Sequence, residues 1–402
     1  MGLPKEFRRL LMMNAMSFII FIYIGIFVNL YIWEQDHRIA DVAWFNLFLF
    51  LFWALSFTLG ARLLRRWTIR LLFGLSALSG GTAFLLLSFL HLDNRLLWIS
   101  IIGVPVGMMW GFFSCAQNLS VSTSGKGKEF GNFFAASNTI SQMANMSVPI
   151  VAAQVIGWFG YSGSFSLMLL FVTGMLVTSL MLPKISLKST APHQETWRET
   201  MKYRNVFIDS RLKWLIPSCL AAGLFLQFQG LFALLFTFSV TEDKTIIALL
   251  NTLYTTSSLL ALFLYRKLNF KERSWLHAAI LMLAGGFLMM LYPVPVVLIL
   301  SNIMTTMGMF YFGTTWNAQQ FRAISHHPPE RQSSLMVWRE CLICVTRCVM
   351  LLLILLVKDF SGAIFVLLIA VALSALFSIP YFQKKMESDE EIPPQEPSFL
   401  KA

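Results

Sequence analysis

Charged residues are scarce in this 402-residue chain, where Asp, Glu, Lys and Arg together make up only 13%. A soluble globular domain contains about 25% charged residues, so the composition excludes that class of protein. Hydrophobic residues make up 57% of the chain, and the mean hydropathy is +0.67. A helix needs about 20 mostly apolar residues to cross a bilayer, and the sequence contains twelve such runs. It therefore predicts an all-α integral membrane protein with twelve transmembrane helices.

Cysteine is also scarce, and its positions argue against both disulfides and a metal site. None of the five cysteines is placed to form an extracellular disulfide framework, because all lie in predicted membrane segments: Cys115, Cys219, Cys341, Cys344 and Cys348. The last three share one helix face, but no histidine cluster accompanies them, and cysteine is a routine small buried residue. We predict no metal site and no cofactor.

Motifs for catalysis are missing as well. The chain contains no His-Glu-x-x-His sequence, no Gly-x-Ser-x-Gly sequence and no paired-carboxylate arrangement that would support an enzyme. The stretch SGKGKE at residues 124–129 lacks the spacing of a phosphate-binding loop and has no strand before it. We therefore predict that the protein is not an enzyme.

Basic residues outnumber acidic residues by 31 to 20, which gives a net charge of +11. If the N-terminus is cytoplasmic, 25 of the 31 basic residues fall in cytoplasmic segments and four fall outside. The other two, Arg339 and Arg347, lie within a predicted membrane helix. An excess of Lys and Arg marks the cytoplasmic side of membrane proteins. The sequence thus predicts a multi-pass protein of the plasma membrane with both termini cytoplasmic, and no nucleic-acid partner.

The chain divides into two similar halves. The predicted organisation is an N-terminal six-helix half (1–182), a cytoplasmic linker (183–212), a C-terminal six-helix half (213–382) and a disordered acidic cytoplasmic tail (383–402). The sequence Gly-x4-Ala-Gln begins at Gly111 in the fourth predicted helix and again at Gly313 in the tenth, 202 residues later. This layout indicates a duplicated transporter whose two halves are pseudo-symmetric.

The loop between the second and third predicted helices carries a further signal. It reads GARLLRRWTIR at residues 60–70, a glycine followed by several basic residues. This loop and the layout of the whole chain resemble the major facilitator superfamily (MFS), whose members carry a Gly-x3-Asp-Arg-x-Gly-Arg-type loop here. The resemblance implies an MFS fold, alternating access to a central site, and a gating loop at Gly60, Arg62, Arg65 and Arg66. Leu64 stands where the family has its acidic residue.

Two ionisable residues in the eleventh predicted helix indicate an internal cavity. Glu340 and Arg347 are seven residues apart, close to two full turns, and so share a helix face. An Arg at the bilayer centre costs at least about 2.5–3.5 kcal/mol, so this face is expected to point into the bundle. A shift of 202 residues places Asn138 and Asn145 of the fifth helix at the positions that correspond to Glu340 and Arg347.

Uncharged polar residues extend this predicted site. Asn138, Gln142 and Asn145 form a stripe along one face of the fifth helix. Other helices complete the candidate substrate-binding set with Gln117, Gln227, Trp316 and Asn317. A structural alternative stays open, in which Arg347 pairs with Glu340 or with backbone carbonyls and each amide only joins two helices.

These features predict a secondary active or facilitative transporter that moves a small polar or anionic organic solute by alternating access. Arg347 would attract the solute, and Glu340 is the candidate for proton coupling, because a desolvated carboxyl group can carry a proton. The predicted partners are the solute, the lipid bilayer and protons, and the predicted oligomeric state is a monomer. The alternatives are proton-coupled drug efflux, a lipid or lipid-precursor flippase, and a non-transporting membrane receptor.

Overall fold

The computed structural model describes residues 5–90, 92–124, 128–182, 197–268, 270–325, 327 and 329–387. Within these ranges the chain is almost entirely helical. The helices are α1 (Lys5–Tyr23), α2 (Asn29–Asp36), α3 (Ile39–Leu63), α4 (Ile69–Phe89), α5 (Arg95–Ser124), α6 (Lys128–Met181), α7 (Trp197–Thr200), α8 (Tyr203–Val206), α9 (Leu215–Val240), α10 (Lys244–Lys267), α11 (Glu272–Met289), α12 (Pro295–Ser325), α13 (Pro329–Ile354) and α14 (Ala363–Glu387).

The described helices provide the twelve predicted membrane crossings. Nine segments of the described chain are long and apolar enough to cross a membrane. One of them, Thr139–Met181 in α6, is 43 residues long and bends at Gly160, whose φ of 68° suits glycine. At 1.5 Å per residue it extends about 65 Å, enough for two crossings of a hydrocarbon core about 30 Å thick. The more polar helices α11 and α13 bring the total to twelve.

The first crossing consists of α1 and α2, which are joined by a π-helical turn at Ile24–Val28. A π turn holds one extra residue and leaves backbone carbonyls without their α-helical partners. The side-chain amide of Asn29 donates to the carbonyls of Ile24 (3.3 Å) and Gly25 (3.0 Å). Asn46 of α3 in turn donates to the Asn29 Oδ1 at 2.9 Å. Side-chain hydrogen bonds therefore satisfy the backbone at this turn.

Glycines of α5 allow close helix packing in the first half. Gly103, Gly107 and Gly111 lie four residues apart and face the backbone of α3. A Cβ atom at Gly103 would lie 3.1 Å from the Phe45 carbonyl oxygen, and one at Gly111 would lie 3.0 Å from the Phe57 nitrogen. A stripe of small residues at this spacing is typical of tightly packed membrane helices.

The two halves meet along two pairs of helices. Helix α13 packs against α3, and α10 packs against α6. We call the end of the bundle that carries α7 and α8 the linker face, and the other end the opposite face. Residues 183–196 of the predicted linker and 388–402 of the predicted tail lie outside the described residues, while residues 383–387 continue α14.

Candidate functional site

A cavity of about 260 Å³ lies where α3 of the first half faces α9, α12 and α13 of the second half. Its wall consists of Phe50, Trp53, Leu226, Met309, Phe312, Gly313, Trp316, Asn317, Arg339, Glu340, Ile343, Cys344 and Arg347. The first half contributes two aromatic side chains to this wall. All the charged and amide side chains of the wall come from the second half.

Arg339 is the most extensively hydrogen-bonded residue of the cavity wall. It is only 7% exposed, and its guanidinium donates to Gln320 Oε1 (2.8 Å), to Glu340 Oε1 (2.6 Å) and to Asn317 Oδ1. Its central carbon also lies 5.0 Å from the centre of the Trp316 ring, within the range of a cation–π interaction. Glu340 thus has its sequence neighbour Arg339 as its ion-pair partner.

Arg347 lines the same cavity but makes no hydrogen bond or ion pair with any residue that the structure describes. Its guanidinium carbon lies 4.6 Å from the centre of the Phe50 ring, and its buried Nε has no hydrogen-bond partner. An unsatisfied buried polar group costs about 1–3 kcal/mol, and a charged one costs more. The aromatic face attracts the cation but supplies no acceptor for its N–H groups. A ligand with an acceptor oxygen would fill this need.

A buried hydrogen-bond network lies behind the cavity wall. The hydroxyl of Ser218 on α9 accepts hydrogen bonds from Trp316 Nε1 (3.0 Å), Gln320 Nε2 (3.4 Å) and Gln383 Nε2 (3.1 Å). All four side chains are nearly inaccessible. Because Gln320 also accepts from Arg339, this network connects α9, α12 and α14 to the guanidinium on α13. It fixes the position of Arg339.

Four of the predicted residues share the cavity wall, namely Arg347, Glu340, Trp316 and Asn317. The wall does not include Gln227 or the described first-half amides Gln117, Gln142 and Asn145. The Asn145 amide instead donates to the Ser141 carbonyl of its own helix at 2.9 Å. Gln227 is buried one position after the lining residue Leu226, and adjacent helix positions lie about 100° apart. The side chain of Asn138 lies outside the described residues.

Sequence reasoning did not assign Arg339, Phe50 or Trp53 to the site. Arg339 is eight residues from Arg347, so an ideal helix places them about 80° apart, and the length of both side chains brings them to one cavity. The available signal for Arg339 was that charged residues are rare within a membrane helix. Phe50 and Trp53 lie in a strongly apolar run, and nothing in their residue type distinguishes them from their neighbours.

The predicted gating loop contacts the connection between the halves at the linker face. The Arg65 guanidinium donates to Thr200 Oγ1 at 2.8 Å and lies 5.0 Å from the centre of the Trp197 ring. The other predicted members are Gly60, which packs against Leu72 and Cys115, and the exposed Arg62 and Arg66. The loop therefore anchors α7 to the first half.

Charged side chains join the two halves at the opposite face. Lys244 Nζ, at the start of α10, lies 2.9 Å from Glu34 Oε1 of α2. Beside this pair, His37 Nε2 lies 3.0 Å from Glu242 Oε1. Lys244 also lies 5.3 Å from the centre of the Tyr161 ring. The halves are thus linked directly at the opposite face, while at the linker face the first half contacts the connection between them.

Comparisons with known proteins agree with this architecture. The sequence profile described as Major Facilitator Superfamily matches residues 121–351, more than half of the chain. A search of curated proteins finds no match. A solved POT family transporter in complex with 5-aminolevulinic acid superposes with a TM-score of 0.72 at 13% identity, and the alignment covers 95% of this chain and 97% of that one.

Two further solved structures give similar results. A POT family transporter in complex with a thioalcohol conjugated peptide has a TM-score of 0.73 at 13% identity, with 95% of this chain and 97% of that chain covered. The nucleoside transporter NupG has a TM-score of 0.64 at 12% identity, with 95% and 99% covered. At identities this low, the similarity shows a shared fold and carries no information on the substrate.

Proposed function

The chain belongs to the Major Facilitator Superfamily and is a multi-pass membrane transporter, and on that premise we propose that it carries a small organic monoanion by alternating access. The solute would bind in the cavity between the halves, with its anionic group at Arg347. The observation that carries this proposal is the guanidinium of Arg347, which lines the cavity and has no acceptor within the described residues.

The charge of the wall supports a single anionic group on the solute. Arg339 and Arg347 contribute two positive charges to the lining, and Glu340 contributes one negative charge. Because Arg339 and Glu340 form an ion pair, the remaining positive charge belongs to Arg347. Charges attract more strongly in a low-dielectric cavity than in water. A carboxylate could bind the guanidinium through two parallel hydrogen bonds.

The size of the cavity supports a small solute. Its volume of about 260 Å³ lies just below the usual range of about 300–1,000 Å³ for ligand pockets. This favours a monomeric organic acid over the alternatives of a bulky drug or a lipid precursor.

Glu340 supports proton coupling as part of the same proposal. Its carboxylate lines the cavity and binds Arg339 at 2.6 Å. Protonation would remove the negative charge of Glu340 and strengthen the attraction of an anion to Arg347, so proton binding would favour solute binding. Glu340→Gln should abolish accumulation driven by a pH gradient but preserve exchange of labelled for unlabelled solute. A variant that still accumulates solute in response to a pH gradient would remove Glu340 from this role.

The orientation proposed for the protein follows from its basic residues. The linker face carries most of the Lys and Arg residues, so we place it in the cytoplasm of a plasma-membrane protein. One chain forms the whole cavity, which supports a functional monomer. Cysteines introduced for the exposed Lys384 (linker face) and Lys358 (opposite face) should react with a membrane-impermeant thiol reagent from the inside and the outside of cells, respectively. The reverse pattern would overturn the orientation.

The main test is uptake by proteoliposomes of size-matched carboxylates, phosphate monoesters, neutral amides and organic cations. Carboxylates should be transported with saturation. Arg347→Gln should lower their kcat/KM by at least about 30-fold, since the loss of one partner from a buried charge pair costs about 2 kcal/mol or more. The kcat/KM of Arg347→Lys should lie between those of the wild type and Arg347→Gln, because an ammonium group keeps the charge but cannot form two parallel hydrogen bonds to a carboxylate.

Val345→Ala is the matched control, because Val345 lies on the same helix and is 56% exposed on its outer side. Uptake of cations or neutral amides with no dependence on Arg347 would contradict the proposal. Translocation of lipid alone would indicate a flippase, and saturable binding without uptake would indicate a receptor.

A further inference from the structure

The cavity has two chemically different walls, and this division limits the kind of anion that fits it. The second-half wall carries the charged residues, including Arg347, whereas the first-half wall consists of Phe50 and Trp53. The Phe50 ring is covered by the Arg347 guanidinium. Trp53 is only partly buried and contributes accessible ring surface to the cavity. An anion bound at Arg347 would therefore have an aromatic surface beside it.

The aromatic surface is held in place by further rings. Trp53 stacks on Phe50 with ring centres 5.7 Å apart, and it lies 5.1 Å from Trp110. On the α12 side of the cavity, Phe312 stacks on Trp316 at 5.3 Å. Aromatic rings recognise other rings through stacked and edge-to-face contacts at such distances. A flat ring placed against Trp53 would find this aromatic surface preformed.

The rest of the lining disfavours a strongly hydrated solute. Leu226, Met309 and Ile343 also line the cavity and offer no hydrogen bonds from their side chains. Hydroxyl groups placed against these three side chains would lose their water without replacement partners, which opposes binding. An apolar ring would instead gain from leaving water.

We infer that the solute is an aromatic monocarboxylate, with its carboxylate at Arg347 and its ring against Trp53. This inference rests on the proposed function, the transport of an organic monoanion at Arg347. Phe50 contacts both the guanidinium (4.6 Å) and Trp53 (5.7 Å), so the two recognition points lie no farther apart than these two distances together. One small aromatic acid can span that distance.

The test compares three monocarboxylates in proteoliposome uptake: phenylacetate, hexanoate and gluconate. Wild type should prefer phenylacetate to hexanoate by about tenfold in kcat/KM, which corresponds to about 1.4 kcal/mol, and should transport gluconate least. Trp53→Ala should remove this preference, while Trp53→Phe should retain most of it because a ring remains. Trp158→Ala is the matched control, since Trp158 is 72% exposed at the outside of the bundle.

The outcomes of this test distinguish a failure of the aromatic inference from a failure of the proposed function on which it rests. Uptake of all three anions without preference, or a folded Trp53→Ala variant that keeps the preference for phenylacetate over hexanoate, would overturn only the aromatic class. No uptake of any anion by wild type would overturn the proposed function as well. Because Trp53→Phe preserves the packing of a ring, its selectivity remains measurable even if Trp53→Ala fails to fold.

Discussion

Helix α13 and the first arm of α6 occupy corresponding places in the two halves, yet their polar residues behave differently. On α13, Arg339, Glu340 and Arg347 all reach the central cavity. On α6, the Asn145 amide is bound to the Ser141 carbonyl of its own helix. Their surroundings correspond, because α13 packs against α9 and α3, and α6 packs against α1 and α10.

The difference shows that duplication preserves the path of the backbone more closely than the chemistry of the side chains. A charge in a membrane protein must be desolvated at a cost, so a second charged helix would add that cost again. In the proposed function, one guanidinium would suffice to attract one anion. The corresponding helix of the other half is then free to satisfy its amides locally, and the first half offers an aromatic surface instead.

The largest effect is expected from a direct comparison of corresponding residues. Arg347→Gln should lower the kcat/KM of anion uptake by at least about 30-fold, whereas Asn145→Ala should change it less than about twofold, because exposed or locally satisfied groups contribute little. Uptake by purified protein in proteoliposomes measures both. Equal losses in the two variants would mean that the site is symmetric after all.

Two corresponding glycines should differ in stability. Gly111 lies against the α3 backbone, so Gly111→Ala should destabilise the fold by about 1–3 kcal/mol through overpacking. Gly313 has open space around its Cα and lines the cavity. Gly313→Ala should leave the thermal unfolding temperature unchanged or slightly raised, because Ala favours helices by up to about 1 kcal/mol. Thermal unfolding in detergent tests both, and a lower unfolding temperature for Gly313→Ala would contradict the packing difference.

Amides of the two halves should differ in their effect on solute affinity. Gln320 accepts a hydrogen bond from Arg339, so Gln320→Met should raise KM about fivefold, as expected for the loss of about 1 kcal/mol. The described cavity wall does not include Gln117, and Gln117→Met should leave KM unchanged. If Gln320 positions Arg339, kcat should change less than KM. A change confined to protein yield would reveal a purely structural role.

The smallest effect is expected from the ion pairs at the surface. Lys244→Ala removes a contact between the halves, but partly exposed pairs contribute only about 0.2–1 kcal/mol. We expect the labelling rate of Cys344, the single remaining cysteine of an otherwise cysteine-free variant, to rise less than about fivefold. Arg322→Ala breaks a pair within the second half, Arg322 with Glu272, and should not change this rate. High salt should raise the labelling rate of Cys344 as Lys244→Ala does, because salt screens the same ion pair.

The sequence predicted the fold well because hydrophobic runs of membrane length carry a strong signal. The sequence also predicted that Arg347 and Glu340 share an internal face, since a charge stands out against an apolar background, and both line the cavity. The aromatic wall escaped prediction because Phe50 and Trp53 resemble the lipid-facing residues around them. The mirrored stripe of Asn145 and Gln142 was expected on the wall, but a repeat in sequence does not fix which way each side chain finds its hydrogen bond.

The π turn at Ile24–Val28 has a consequence for the opposite face. Its additional residue rotates everything that follows by about 100° relative to an uninterrupted α-helix. Glu34 lies two turns beyond it and reaches Lys244 in the other half. A regular helix over the same residues would aim this carboxylate at a different neighbour. The rotation of the first crossing about its axis is set by these five residues, and it therefore decides whether Glu34 can form this ion pair with the other half.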